Sequence, residues 1–251
     1  MKSHEIRKKL KNKELSIGTW MQIPHPSIGE ILGKAGYDWV AVDLEHGSIA
    51  TSDLPNLFRA IELGGASPFA RVAQGKMKDV KAALDAGARG LIIPMVQSAA
   101  QLEEVIAECL FPPAGKRGVG FSRANLFGKN FDQYVAQINE QLVIVAQIEH
   151  IDAVKDLDNI LANPRLDAIM VGPYDLSASM GITGQFQHPE FVKAMNAVRT
   201  ACEKRKFPAG VHVVTPNPTE LKNKIIEGYK FIAYSIDGTF LHLSATCPAL
   251  A

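Results

Sequence analysis

The sequence predicts a single (β/α)8 barrel, the TIM-barrel architecture, and three observations support this fold class. The chain has 251 residues, which is the usual size of one such barrel. Short apolar runs alternate with longer amphipathic segments from one end to the other, as expected for a parallel sheet with crossover helices. No Gly-x-Gly-x-x-Gly turn follows the first strand, so the alternative of an open, doubly wound dinucleotide fold is less favoured.

Eight short runs are the strand candidates, and most are continuously apolar rather than alternating. Continuous runs are expected where helices cover both faces of a parallel sheet. Glycines after helical patterns, such as Gly36, Gly65 and Gly87, mark the ends of the intervening helices. The predicted strands are residues 16–20, 39–43, 68–72, 90–94, 143–147, 168–171, 209–213 and 231–235.

Residues 111–141 form the one irregular region of the sequence. They begin with Pro112 and Pro113 and contain several glycines, which is too irregular for a simple crossover helix. The region separates the fourth and fifth predicted strands. We therefore expect one domain over residues 1–251, with an insertion near 111–141 that folds over the active face.

The overall composition excludes several classes of partner. A net charge of +1 and a hydrophobic content of 47% indicate an ordinary globular chain, so we expect neither a nucleic-acid nor a membrane partner. The basic cluster between Lys2 and Lys13 lacks the apolar core of a signal peptide, and we interpret it as the solvated face of a short helix. Three scattered cysteines predict a reducing compartment, hence a cytoplasmic location, and argue against structural zinc.

Two buried strands each deliver a carboxylate at the carboxyl end. Glu149 follows the strand 143–147, and Asp175 follows the strand 168–171. In a barrel these ends meet at the active face. Two carboxylates suit a hard cation such as Mg²⁺ and leave positions for water or a chelating 2-oxo acid. We therefore predict a metal site at Glu149 and Asp175, the alternatives being surface carboxylates or a helix cap.

Four further residues are candidates for chemistry. Arg71 lies inside an apolar strand and is either an ion-pair partner of Asp43, a donor to a developing enolate oxygen, or both. His46 follows the second strand and is either solvated or able to move a proton. Asp85 ends the third helical pattern and is a candidate to orient His46 from a neighbouring loop or subunit. His212 is flanked by valines and is either a core residue or a substrate contact.

Other catalytic routes lack their sequence signals. There is no Gly-x-Ser-x-Gly elbow and no phosphate-binding Gly-x-x-x-x-Gly-Lys motif. None of the eight predicted strands carries an interior lysine, as a Schiff-base aldolase would need. The residues thus favour metal-assisted chemistry on a 2-oxo acid.

Taken together, these motifs resemble the metal-dependent 4-hydroxy-2-oxoheptanedioate and 2-dehydro-3-deoxyglucarate aldolase family. That family belongs to the aldolase/citrate lyase superfamily of pyruvate-kinase-like barrels. The resemblance follows the family's order over nearly the whole chain. The matching stretches are residues 35–47, 87–96, 117–120, 147–149 and 172–177.

The resemblance implies reversible cleavage of a 4-hydroxy-2-oxo acid to pyruvate and an aldehyde. It implies Mg²⁺, Mn²⁺ or Co²⁺ at Glu149 and Asp175, with pyruvate contacts from Arg71 and Gln147. It also implies that His46 and Asp85 act as a pair on the C4 hydroxyl proton. The family resemblance further suggests a homohexamer in which a terminal helix is exchanged between neighbours.

Two residues depart from the family pattern. Tyr174 stands where many members have a small residue, and its backbone N–H is a candidate contact for the pyruvate carboxylate. His212 stands where an apolar residue is expected. The resemblance therefore does not fix the substrate. Three alternatives stay open: citrate-type condensation, cleavage of acyl-CoA thioesters, and non-catalytic binding of a 2-oxo acid.

Overall fold

A computed structural model describes residues 3–247, and they form the predicted closed parallel barrel. All eight predicted strands are present, and the largest difference in their bounds is a two-residue extension of the fourth strand to Val96. Each strand pairs with its neighbours in sequence, and the last strand pairs with the first. The strands are Ser16–Met21 (β1), Trp39–Asp43 (β2), Ser67–Arg71 (β3), Gly90–Val96 (β4), Val143–Ile148 (β5), Ala168–Val171 (β6), Ala209–Val213 (β7) and Phe231–Ile236 (β8).

The helices surround this barrel, and local sequence signals account for where many of them begin. His25, His150 and His188 each cap a helix by accepting a backbone N–H. Within residues 3–247, no helix is long and apolar enough to cross a lipid bilayer. The helices are Ser3–Lys11 (α1), Pro26–Lys34 (α2), Leu54–Gly64 (α3), Met77–Ala86 (α4), Ala99–Cys109 (α5), Phe131–Gln141 (α6), Ile151–Lys155 (α7), Leu157–Ile160 (α8), Pro173–Ser179 (α9), Pro189–Arg205 (α10), Pro218–Ile226 (α11) and Asp237–Ser244 (α12).

Aromatic rings fill the barrel interior near the amino ends of the strands. Trp39 stacks on Phe231 with ring centroids 4.5 Å apart and on Phe69 at 5.4 Å. Gly18 makes room for this stack, because a Cβ there would lie 2.0 Å from the Trp39 ring. Among the described residues, these rings fill the amino-terminal end of the barrel interior.

Helix α1 closes the amino-terminal end of the barrel. Ile6 and Leu10 are fully buried in the same cluster as the aromatic stack. Arg7 is also buried, and its Nε lies 2.8 Å from Oδ1 of Asp167. The prediction of a short helix is confirmed, but the prediction that its basic residues are all solvated is wrong for Arg7. The apolar face of α1 packs into the barrel and brings Arg7 against a buried carboxylate.

The segment 111–141 packs against α4 through a buried arginine. Arg117 is buried beside the rings of Phe111 and Tyr134, and its guanidinium pairs with Asp85 of α4 at 2.9 Å. These contacts hold the segment against α4. Among the described residues, none from 111–141 lines the pocket at the active end. The expected cover over the active face therefore stays a prediction.

The Arg7–Asp167 pair generates a stability prediction. Arg7→Met keeps the stem of the side chain but leaves the Asp167 carboxylate buried without its cation. Such a change costs about 3 kcal/mol of unfolding free energy, measurable by urea denaturation. Lys155→Met removes one partner of the exposed Lys155–Asp152 pair and should cause no measurable loss. Equal effects of the two substitutions would contradict the structural role assigned to Arg7.

Candidate active site

A pocket of about 330 Å³ lies at the carboxyl ends of the strands. Seven of the eight residues that the sequence singled out for the site line this pocket, and Asp85 does not. The barrel topology brings them together, since they are far apart in sequence but follow strands that end at the same face. The seven residues are His46, Arg71, Gln147, Glu149, Tyr174, Asp175 and His212.

Arg71 is held at the pocket floor by a bidentate ion pair. Asp43 and Arg71 are register partners at the ends of β2 and β3. Arg71 Nε lies 2.8 Å from Oδ1 of Asp43, and one of its terminal nitrogens lies 2.7 Å from Oδ2. Burial alone would raise the pKa of Asp43, but the hydrogen bonds and charge of Arg71 lower it below its usual range. The predicted ion pair is confirmed.

Two further contacts fix the Arg71 guanidinium. Its remaining terminal nitrogen lies 3.1 Å from Oε2 of Glu45. The guanidinium carbon is 4.6 Å from the centroid of the Trp20 ring, which is within the range of a cation–π contact. Two of the five N–H groups of the guanidinium are bonded to Asp43, and the Glu45 contact is an ion pair without a hydrogen bond, since Oε2 of Glu45 has no hydrogen-bond partner.

Hydrogen bonds to both carboxylate oxygens position Glu149. Gln147 donates from Nε2 to Oε1 at 2.8 Å, and the backbone N–H of Met95 donates to Oε2 at 3.0 Å. Met95 has a φ of 50°, at an irregularity in the pairing of β4 with β5. A Cβ on Gly172 would lie 2.4 Å from Oε1 of Glu149. Position 172 therefore requires glycine for the carboxylate to keep this place.

Asp175 lies at the mouth of the same pocket, in the first turn of α9. Gly172 is the N-cap of this helix, and Pro173 begins it, where a missing N–H and a fixed φ cost nothing. Tyr174 is 61% exposed, and its ring packs edge-on against Phe186 at 4.9 Å. The turn thus brings the Asp175 carboxylate and the Tyr174 ring to one side of the pocket.

Negative charge exceeds positive charge at this site. Asp43, Glu45, Glu149 and Asp175 surround the single cation Arg71, counting only described residues of the pocket and its immediate contacts. Burial, together with the neighbouring carboxylates of Glu45 and Asp175, raises the pKa of Glu149 to about 7. Burial likewise raises the pKa of Glu45. A bound cation would offset this excess.

The donor set fits a hard divalent cation. Glu149 and Asp175 offer carboxylate oxygens, which Mg²⁺ and Mn²⁺ prefer. Within residues 3–247, no group of three or more His, Cys, Asp or Glu side chains is arranged to hold a metal by itself. A cation at Glu149 and Asp175 would therefore depend on water or substrate to fill its coordination shell.

The structure places the two predicted proton-transfer residues apart. His46 is exposed at the pocket, and its backbone N–H donates to Oδ1 of Asp43 at 3.3 Å. Asp85 lies on α4 and pairs with Arg117. Within one chain Asp85 does not reach the pocket. Its predicted role therefore requires that Asp85 of one subunit orients His46 of a neighbouring subunit.

His212 and Trp20 form the wall on the β7 and β1 side of the pocket. Their rings meet edge-on with centroids 6.0 Å apart. Burial lowers the pKa of His212 to about 4, so the ring is neutral at pH 7. Trp20, Met95 and Gly172 are site residues that the sequence reasoning missed. Of these, only Gly172 lies in a stretch noted in the sequence, residues 172–177.

An arginine, a histidine and two carboxylates lie together at the carboxyl end of a closed parallel barrel. This combination is typical of an enzyme that acts on a small anionic substrate. The chain belongs to the HpcH/HpaI aldolase/citrate lyase family, whose model matches residues 16–243. It is therefore a carbon–carbon lyase, and the alternative of a non-catalytic binder is not supported.

Individual relatives agree with this family. A 2-keto-3-deoxy-L-rhamnonate aldolase of Salmonella dublin is 34% identical over 251 residues, covering 99% of this chain and 92% of the relative. A hydroxypyruvate/pyruvate aldolase of Roseobacter denitrificans is 33% identical, covering 92% of this chain and 90% of the relative. A crystal structure of a family member from Burkholderia cenocepacia superposes with a TM-score of 0.89 at 31% identity, covering 96% of each chain.

The raised pKa of Glu149 predicts a pH-dependent stability of the metal-free protein. The folded pKa of about 7 lies above the ordinary value of 4.5, so the folded state binds the proton more tightly than the unfolded state. Stability therefore falls as pH rises from about 4.5 to about 7. Relative to Glu149→Gln, the wild type should lose roughly 2 to 3 kcal/mol between pH 5 and pH 8.

The measurement is denaturant unfolding of both proteins in the presence of a chelator. The Glu149→Gln variant is the control, because it carries every other titrating group. Parallel curves of stability against pH for the two proteins would show that the Glu149 carboxylate is not perturbed as the structure indicates.

Proposed function

We propose that this chain is a divalent-metal-dependent aldolase that reversibly cleaves a 4-hydroxy-2-oxo acid to pyruvate and an aldehyde. One observation carries the proposal: Arg71, locked by Asp43, faces the same pocket as the paired oxygen donors Glu149 and Asp175. The relatives that are 33–34% identical are named as aldolases of a 2-keto-3-deoxy acid and of hydroxypyruvate or pyruvate, which agrees with this substrate class.

Glu149 and Asp175 would hold the cation, which we propose to be Mg²⁺, Mn²⁺ or Co²⁺. When bound, such an ion polarises the keto carbonyl of the substrate. The excess of carboxylates and the raised pKa of Glu149 support this assignment. Gln147 donates to one oxygen of Glu149 and the backbone N–H of Met95 to the other, and these two hydrogen bonds orient the carboxylate.

Arg71 stabilises the charge that develops on the keto oxygen. Its guanidinium lines the pocket, and Asp43 holds it through two N–H groups. A fixed donor aimed at a developing oxyanion lowers the barrier because it needs no reorganisation. The backbone N–H of Tyr174 and the side chain of Gln147 are the proposed contacts for the substrate carboxylate, since N–H groups in the first turn of a helix lack intrahelical acceptors.

His46 handles the proton of the C4 hydroxyl. In cleavage, His46 accepts this proton directly or through a water, and the C4 oxygen becomes the aldehyde carbonyl. The C3–C4 bond breaks, and its electron pair moves into the enolate of pyruvate opposite Arg71. Protonation at C3 then yields pyruvate. The exposed position of His46 at the pocket supports this role, because it can exchange its proton with solvent.

We further propose that the chain forms a homo-oligomer, a hexamer by family resemblance, in the cytoplasm. Side chains of the segment 119–127 leave apolar surface exposed beside Asp85 on α4, including Phe121 at 74% and Phe127 at 69%. A second copy covering this surface would bring Asp85 toward another subunit's site. The buried free thiols Cys109 and Cys202 agree with a reducing compartment.

Removing either proposed metal ligand should abolish activity without unfolding the chain. Glu149→Gln and Asp175→Asn each replace an anionic oxygen donor by a neutral amide of the same shape. We expect metal-dependent release of pyruvate from a 4-hydroxy-2-oxo acid to fall at least about 100-fold, followed with a coupled lactate dehydrogenase assay.

Circular dichroism and thermal unfolding are the controls for the fold. Near-wild-type turnover of either variant in chelator-treated buffer with added Mg²⁺ would disprove the metal assignment. Assays with oxaloacetate plus an acyl-CoA, run on the wild type, separate the aldolase from the citrate-type and thioester alternatives.

Oxaloacetate decarboxylation separates the role of His46 from that of Arg71. Decarboxylation produces the same pyruvate enolate, but it requires no proton removal from a C4 hydroxyl. His46→Ala should therefore lower aldol cleavage by about 100-fold or more while leaving metal-dependent decarboxylation within a few-fold of wild type.

Arg71→Lys should lower both reactions, because a lysine cannot reproduce the bidentate pair with Asp43 or the fixed donors. Loss of decarboxylation in His46→Ala, with the fold intact, would mean that His46 acts on the enolate rather than on the C4 hydroxyl.

A further inference from the structure

Gln22 lines the pocket, and none of the steps proposed for the reaction uses it. It follows β1 and is half-buried. Its Nε2 donates to Oδ2 of Asp43 at 2.7 Å. An ionised carboxylate accepts hydrogen bonds and cannot donate them, so the amide must turn its NH2 group toward Asp43. This contact connects Gln22 to the ion pair that holds Arg71.

Different donors hold the two oxygens of Asp43. Oδ1 accepts Nε of Arg71 at 2.8 Å and the backbone N–H groups of Glu45 and His46 at 3.1 and 3.3 Å. Oδ2 accepts a terminal nitrogen of Arg71 and Nε2 of Gln22, both at 2.7 Å. Among the described residues, Gln22 is therefore the one donor besides Arg71 that fixes Oδ2.

Asp237 in turn fixes the backbone of Gln22. This carboxylate is buried and lies at the start of α12. The backbone nitrogen of Gln22 lies 3.0 Å from both of its oxygens, and the backbone nitrogen of Ile23 lies 2.8 Å from Oδ2. A long glutamine side chain loses conformational entropy when it is held in one geometry. The fixed backbone limits the positions that the amide can reach, so Asp237 favours the hydrogen bond to Asp43.

An irregularity of the sheet precedes Asp237. The pairing of β1 with β8 shifts its register between Gly18 and Trp20. In β8, Ser235 has a φ of 57°, and its Oγ donates to the carbonyl oxygen of Val214 at 2.9 Å. A positive φ at a residue other than glycine is strained and persists only where contacts hold it. Bulges redirect neighbouring side chains, and we attribute the position of Asp237 against the end of β1 to this one.

We propose, on the basis of the proposed aldolase function, that Gln22 is a positioning residue for Arg71 and that Asp237 sets its place. Gln22 keeps the Asp43 carboxylate oriented while Arg71 shares its charge with the keto oxygen of the substrate. That oxygen gains its negative charge as the enolate forms, so this support lowers the barrier more than it strengthens substrate binding. Gln22 therefore contributes to kcat rather than to KM.

Gln22→Met tests this role, because methionine keeps the length of the side chain and removes the N–H donor. The variant is assayed with Mg²⁺ in aldol cleavage and in oxaloacetate decarboxylation, which form the same enolate. We expect kcat to fall about tenfold in both reactions, as for the loss of a hydrogen bond to a charged group, while KM stays within about twofold. Equal losses exclude a contact with the aldehyde, because decarboxylation releases none.

Gln74→Met is the matched control. Gln74 is exposed, follows β3 and lies outside this pocket, so the same substitution should leave kcat and KM of both reactions as in wild type. Gln22→Glu has the shape of the wild type without its donor, and it should lower kcat at least as much as Gln22→Met. Thermal unfolding of each variant checks the fold.

A double-mutant cycle tests the connection to Asp237. Asp237→Asn replaces one accepting oxygen by an NH2 group, so kcat should fall in both reactions. Added to Gln22→Met, it should lower kcat by less than about a further twofold, because the two substitutions act through the same contact. Should Asp237→Asn not fold, amide hydrogen exchange of the wild type reads the same connection, since the bonded N–H groups of Gln22 and Ile23 should exchange slowly.

The outcomes separate this inference from the function on which it rests. An unchanged kcat in Gln22→Met, or a raised KM alone, would overturn the positioning role and leave the aldolase proposal standing. Full additivity in the cycle, or rapid exchange of both amides, would overturn the part assigned to Asp237. Absence of both reactions in the wild type would contradict the aldolase proposal and this inference with it.

Discussion

The bidentate pair between Arg71 and Asp43 is the interaction on which the site depends. The buried guanidinium of Arg71, at the carboxyl end of β3, destabilises the fold unless it is paired with a negative charge. The register of β2 with β3 places Asp43 beside it. Asp43 also accepts the side-chain N–H of Gln22 and the backbone N–H of His46. One carboxylate thus fixes both the donor for the substrate oxygen and the loop that carries the proposed base.

Around this pair the site carries more negative charge than it can satisfy by itself. The position of Glu149 lowers the stability of the folded protein, because burial and neighbouring carboxylates disfavour its charged form and raise its pKa to about 7. The aromatic stack and α1 fill the opposite end of the barrel, and their cluster reaches the pocket at Trp20. The excess of negative charge on these oxygens favours a divalent cation. The same excess destabilises the metal-free protein and suits the site to the proposed chemistry.

The sequence could predict the barrel and most of the site, because both follow from patterns that are local in sequence. Continuous apolar runs mark the strands, and polar residues just after them must meet at one face. Met95 and Trp20 could not be found this way. Met95 acts through a backbone N–H exposed by a positive φ, and Trp20 has the sequence surroundings of an ordinary core tryptophan. The burial of Arg7 and the path of residues 111–141 depend on distant partners, which no local pattern shows.

The site divides into two walls with different constraints. Arg71, Glu149 and Asp175 meet the demands of any enolate of a 2-oxo acid, so this wall follows from the reaction. On the side formed by β7 and β1, Trp20 contacts the Arg71 guanidinium at 4.6 Å, whereas His212 has no hydrogen bond to these groups. Tyr174 at the pocket mouth departs from the family pattern, as His212 does. An identity of 33–34% to aldolases with different named substrates therefore carries the reaction to this chain but does not fix its substrate.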